Sequence, residues 1–330
     1  MATVLGMREG RFTVNGTPTF LVGCSYFAAL SAPDQFIRRD LDELQSCGIN
    51  CLRVWANWRA FGMDVAAIDR KGNPREPYLS KLQWLVRECD RRGIVVGVTL
   101  GRSNEFGEMG LPDQEAHRRA VVTLLKALQA FGNWYLDIAA ERNIRDGRFV
   151  GIPELRALRE VAKETDERRL LTASYSGDLP RHELLDYLFT VQVDFLAIHR
   201  PRTPQSPQQT GERTQQLRAW LRELECDGIP VFYQEPFRRG LTTWAPTAAD
   251  FLQDLQAAYT HGAAGWCFAN GDQRRNPDGQ PRRSFDLRLQ PLVEQLDEEE
   301  RRFLGQLREV TKSWESASSS VPAMSSPKRY

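Results

Sequence analysis

Short apolar runs alternate along this chain with longer stretches in which apolar residues recur every three or four positions. The runs are FLVGCSY (20–26), INCLRVWAN (49–57), IVVGVTL (94–100), WYLDIAAE (134–141), RLLTASY (169–175), DFLAIH (194–199), PVFYQE (230–235) and AGWCFAN (264–270). Each has the length and the β-branched or aromatic content of a buried strand. The stretches between them read as amphipathic helices. Pro33-Asp34 opens one that closes at Gly48, residues 78–92 form another that closes at Gly93, and Pro112-Asp113 opens a third. Further helical patterns cover about 153–166, 180–189, 211–227, 247–261 and 288–312. Eight strands, each followed by a helix, predict a single closed (β/α)8 TIM barrel, because parallel neighbours need helical crossovers. The rival is an open doubly wound sheet, but no glycine-rich turn follows the first strand.

Ahead of the first run, Arg11 to Phe20 alternates apolar and polar residues around Asn15-Gly16, a pair that tolerates positive φ. This predicts a small β-hairpin cap over about 10–22, within a barrel domain spanning 1–312. The stretch 313–330 is rich in serine and too poor in apolar residues to bury a face, so it reads as a disordered tail. The acidic run Asp297 to Glu300 reads as a solvated helix face.

Composition narrows the chemistry. Forty-four basic residues against 43 acidic ones leave a net charge of +1, so no global field points to nucleic acid or to a membrane surface. The first residues lack a basic start followed by an apolar run, and no apolar stretch approaches the roughly 20 residues that span a bilayer. The expectation is a cytoplasmic protein of undetermined oligomeric state. Six scattered cysteines, mostly inside apolar runs, fit buried reduced thiols. Four scattered histidines offer no metal-ligand spacing, and neither a metal nor another cofactor is expected.

In a barrel of this type the C-terminal strand ends and the loops after them build the active site, so polar residues ending strands are the first candidates. Strand two ends in Arg53, Trp55 and Asn57, strand four in Glu141, strand six in His199 and strand seven in Glu235; strand eight carries Trp266 and Asn270. Two glutamates facing one pocket suit glycoside hydrolysis, where one carboxyl protonates the leaving oxygen and the other attacks or activates water. Arg53, permanently charged and planar, could orient Glu235.

These segments resemble those of the retaining glycoside hydrolases of family 5 and clan A. GINCLRVWANW is similar to the second-strand motif, IAAERN to the acid/base motif, DFLAIHRPR to the histidine motif, IPVFYQEP to the nucleophile motif and GAAGWCFAN to the tryptophan motif. The resemblance implies a carbohydrate substrate, Glu141 as acid/base and Glu235 as nucleophile. It also implies substrate contacts from Arg53, Trp55, Asn57, His199 and Trp266, with Trp58 and Tyr26 as further aromatic platforms. Two positions depart from the pattern. Ala140 stands where an asparagine usually precedes the acid/base, and Pro201 stands where a tyrosine usually follows the histidine. Tyr233, two residues before Glu235, is expected to replace that tyrosine in part. Asn57, Asn104, Asn143, Arg202, Arg238 and Asp272 fall in the expected rim loops. A barrel that binds carbohydrate with little or no catalysis is the alternative function.

Overall fold

The computed structural model describes residues 2–61, 63–102, 110–240, 243–270, 272–275, 281–282 and 285–319. Its centre is a parallel barrel whose strands are Leu21–Ser25, Cys51–Trp55, Val95–Thr99, Trp134–Asp137, a split fifth strand, Leu196–His199, Val231–Tyr233 and Gly265–Phe268. The fifth strand is divided. Leu171–Thr172 pairs with strand four, whereas Tyr175–Ser176 pairs with strand six. At the break the Asp137 carboxylate accepts the Ser174 amide at 3.0 Å, so a side chain takes over where the ladder stops. Strand eight pairs with strand one and completes the ring.

Alternation along the strands sorts residues into two cores. Leu21, Cys51, Val95, Tyr135, Phe195, Phe232 and Cys267 fill the barrel interior. Val22, Leu52, Val96, Leu136, Ile198, Tyr233 and Trp266 face the surrounding helices. Interior space is tight at Gly97, where a Cβ would run into the Tyr135 phenol.

The expected helices form with shifted ends. Asp34–Ser46 and Tyr78–Asp90 are followed by Gly48 and Gly93, both at positive φ. Gln114–Leu128 is capped by Asp113, whose side chain accepts the Ala116 amide. Ser206–Glu223 starts five residues earlier than its apolar pattern suggests. The single helix expected over 288–312 is two, Leu292–Gln295 and Glu298–Ser319. The acidic run lies at the start of the second rather than along a solvated face. Asp297 and Glu300 accept each other's backbone amides at 2.9 and 3.0 Å, and Glu300 is buried.

The N-terminal cap carries one strand more than the hairpin expected over 10–22. Leu5–Arg8, Arg11–Val14 and Thr17–Thr19 form an antiparallel sheet, with Asn15 and Gly16 at positive φ in the second turn. It closes the barrel's N-terminal end: Phe12 meets Phe195 and Phe232 edge-on, with ring centres 5.1 and 5.9 Å away. At the other terminus the last helix runs on to Ser319, so the tail does not begin at residue 313. Trp314 stacks on Tyr259 with ring centres 3.9 Å apart. Positions 320–330 lie outside the described residues.

Candidate active site

Glu141 and Glu235 meet at the C-terminal mouth of the barrel. Strand four ends at Asp137, and Ile138 to Ala140 lead into a turn that puts Glu141 at φ +46°, a left-handed backbone uncommon for a residue with a side chain. Three contacts hold that turn. The Glu141 amide donates to Ser174 Oγ at 2.9 Å, and Arg102 Nε donates to the carbonyls of Ala140 and Glu141 at 2.9 and 3.0 Å. Strand seven ends at Tyr233, and alternation fails just beyond it. Gln234 and Glu235 both point inward, Gln234 donating to the Tyr135 hydroxyl and Glu235 accepting from Arg53.

Charges are arranged around the pair in layers. Arg53 Nη1 donates to Glu235 Oε2 at 2.6 Å, and Arg53 Nη2 lies 3.6 Å from Asp137 Oδ2. Burial would weaken the Arg53 charge, but the Glu235 and Asp137 carboxylates outweigh it and raise the guanidinium pKa. Burial in turn raises the Asp137 carboxyl pKa, against the charges of Arg53 and His199 and a bond from Ser174. His199 Nδ1 stands 2.9 Å from Glu141 Oε1 and 3.8 Å from Glu235 Oε2. Arg202 Nη2 touches both glutamates, 3.1 Å from Glu141 Oε1 and 2.9 Å from Glu235 Oε1. Those two oxygens are therefore no more than about 6 Å apart.

Four of the eight expected site residues, Glu141, Glu235, Arg53 and His199, are thus brought together. The other four do different work. Trp266 is on the outer face of strand eight, where its indole donates to Asp254 of helix Ala248–Thr260 at 2.6 Å. Tyr233 is on the outer face of strand seven, its hydroxyl 2.7 Å from Thr214 Oγ1 on helix Ser206–Glu223. Neither can reach a ligand in the mouth, because the strand itself stands between. Asn57 clamps the backbone of Gly101 at both ends of its amide, at 2.6 and 2.7 Å. Trp55 is 1% exposed, packed against Phe27 and Trp58 beneath the Arg53 guanidinium. It supports Arg53 rather than offering an open face.

Of the further platforms, Tyr26 and Trp58 are also buried, the Tyr26 hydroxyl donating to Asp40 at 2.6 Å. Asn143 bonds the backbone of Ser176, and Asn104 lies outside the described residues. Sequence reasoning placed Arg202 among several polar loop residues, and nothing in the sequence distinguished it from them. Asp137 carried a signal that was passed over, as the one acidic residue inside an otherwise apolar strand run. All six cysteines are free, and burial raises the thiol pKa of Cys24 and Cys51 well above the ordinary value. Among the described residues no cluster of three or more His, Cys, Asp or Glu side chains could hold a metal ion, and no helix is long and apolar enough to cross a membrane.

No family model matches the chain, and no curated protein matches it in sequence. Solved structures do. A glycoside hydrolase family 5 mannosidase from Rhizomucor miehei superposes with a TM-score of 0.67 at 14% identity, covering 94% of this chain and 99% of that one. A putative glycoside hydrolase from Bacteroides vulgatus gives a TM-score of 0.70 at 14% identity, covering 96% of this chain and 61% of that one. GH5_18 from Streptomyces cattleya, solved in complex with GlcNAc, gives 0.63 at 16% identity, covering 92% and 82%. At such identities the likeness is one of fold, and the fold of this chain is the barrel of the family 5 glycoside hydrolases.

Proposed function

We propose that this protein is a retaining β-glycoside hydrolase in which Glu235 is the nucleophile and Glu141 the acid/base. The observation that supports it is the meeting of both carboxylates on one nitrogen of Arg202, which limits the oxygens to about 6 Å apart. Retaining pairs stand about 5–5.5 Å apart and inverting pairs about 6.5–9.5 Å. The roles follow from the neighbours. Glu235 is 1% exposed and bonded to Arg53, whose permanent charge favours a carboxylate ready to attack an anomeric carbon. Glu141 is 8% exposed, nearer the solvent than Glu235, and bonded to His199 Nδ1, a position that suits a group giving and taking back a proton. In the first step Glu141 protonates the leaving oxygen as Glu235 forms the glycosyl ester. In the second it deprotonates the water that breaks that ester.

The solved neighbours described as a mannosidase and an endo-1,4-beta-mannanase make aryl β-mannosides and mannan oligosaccharides the first substrates to try, followed by β-glucosides. With a substrate that turns over, its 2-deoxy-2-fluoro analogue with a good leaving group should trap an adduct that peptide mapping finds on Glu235. Glu235→Ala should abolish turnover, and Glu141→Ala should spare the first step for leaving groups that need no proton. An adduct on another carboxylate, or full activity in Glu235→Ala, would refute the assignment.

One observation favours a binding-only barrel. Ala140 supplies no side-chain amide beside Glu141, so position 140 makes no transition-state contact to a sugar 2-hydroxyl. That reading predicts calorimetric affinity for oligosaccharides with no hydrolysis, in wild type and in Ala140→Asn alike. The hydrolase reading predicts that Ala140→Asn raises activity on sugars with a free 2-hydroxyl more than on 2-deoxy sugars.

A further inference from the structure

The scissile bond of a glycoside must touch both carboxylates at once, one at the leaving oxygen and one at the anomeric carbon. Here the position that touches both is filled by Arg202, whose Nη2 lies 3.1 and 2.9 Å from the two glutamates. A sugar cannot share it. The guanidinium is 22% exposed, whereas Glu141 is 8% and Glu235 1% exposed. It can therefore withdraw toward water while the inner groups stay in place. The next residue, Thr203, is bonded to Ser206 at the start of helix Ser206–Glu223, so the guanidinium can leave by a swing of its side chain with the backbone held in place.

The departure has an electrostatic consequence. Glu235 keeps Arg53 at 2.6 Å, whereas Glu141 gives up the Arg202 charge at 3.1 Å and keeps His199 at 2.9 Å. Two carboxylates within about 6 Å in a desolvated mouth cannot both stay charged cheaply. Among the described residues, His199 from strand six, Arg202 from the loop after it and Glu235 from strand seven face Glu141. Arg53 of strand two and Asp137 of strand four lie behind Glu235, and Arg102 holds the Glu141 carbonyl.

We propose that Arg202 is an internal counter-ion that fills the cleavage position at rest, keeps both glutamates ionised, and is exchanged for one solvent proton on Glu141 when a sugar enters. The proposal deepens the hydrolase reading, and only the identity of the entering molecule rests on that reading. Arg202 acts through Glu141 and is a positioning residue. Removing it should arm the acid and open the mouth.

The test needs no substrate. Protein carrying 13C-labelled glutamate side chains is titrated by NMR as wild type, Arg202→Gln and Arg202→Lys, with Glu141→Gln to identify the signal. Glu141 should take up its proton at a pH about one to three higher in Arg202→Gln than in wild type, whereas Arg202→Lys should stay close to wild type. A water-soluble carbodiimide with an amine nucleophile should label Glu141 and Glu235 at least tenfold faster in Arg202→Gln. Arg202→Met replaces the glutamine variant should that one not fold. Unchanged titration of Glu141 in a folded uncharged variant, or equally fast labelling of wild type, overturns the proposal. Shifted titration and labelling with no glycoside cleaved by any variant would instead sink the hydrolase reading and leave the counter-ion role standing.

Discussion

Arg53 is a buried cation set beside two buried carboxylates. It neutralises Glu235 directly and lies near Asp137, all three being at most 1% exposed. Removing this cation takes a charge-assisted bond from buried Glu235 and the nearby positive charge from buried Asp137, with Arg202 and Ser174 left to hold them. Arg53→Met should therefore cost about 3–5 kcal/mol of stability in urea unfolding at neutral pH. Asp137→Asn added to Arg53→Met should recover part of that loss, because one of the two stranded charges is then gone. A loss below about 1 kcal/mol for Arg53→Met would show that water reaches these carboxylates.

Between elements, buried polar contacts decide how strands sit against helices. Asp254 joins helix Ala248–Thr260 to strand eight through Trp266 and to helix Ser206–Glu223 through Thr210. Burial raises its carboxyl pKa from 3.8 to about 6, although the bonds from Thr210 and Trp266 and the charge of Arg200 pull the other way. The folded state thus favours the neutral acid. Its contribution to stability is complete below about pH 3.8 and is lost as pH rises through about 6, a swing of up to ~3 kcal/mol. Asp254→Asn should accordingly stabilise the protein at pH 7 and much less at pH 4, read as the difference in thermal midpoints between variant and wild type. A second junction is purely steric. Gly97→Ala would drive a methyl into the Tyr135 ring across the interior, so it should lower the thermal midpoint, and Tyr135→Leu in the same chain should restore part of the drop.

At the scale of the whole molecule the two ends of the barrel have different tasks. The C-terminal mouth holds the charged cluster, while the N-terminal sheet seals the base with Phe12 set edge-on between Phe195 and Phe232. Phe12→Ala should cost about 3–5 kcal/mol, since the cavity opens inside a closed ring of strands that cannot collapse into it. Because the base is far from the mouth along the strands, the variant should keep the wild-type titration of Glu141 while folded. A shift of both together would mean that the base and the mouth are coupled.

The order of strands and helices was legible in the chain because side-chain period reports local backbone geometry: alternating or continuous apolar runs for strands, a three-to-four repeat for helices, Asn15-Gly16 for a turn. The same local logic located Glu141, His199, Glu235 and Arg53, each at a strand end where a barrel exposes polar groups to one pocket. It failed where local geometry is overridden from a distance. Alternation carried past Tyr233 put that residue on the face of Glu235, whereas the backbone breaks step at Gln234 to satisfy bonds inside the barrel. Trp266 looked like a sugar platform until helix Ala248–Thr260 supplied the Asp254 carboxylate that its indole needs. Arg202 was one polar loop residue among several, and only the closing of strands four, six and seven around one axis set its guanidinium between two glutamates. Periodicity is fixed by bonds between near neighbours in the chain. The pairing of charges about 60 residues apart is fixed by which strands the ring makes adjacent, and that is decided by the tertiary structure alone.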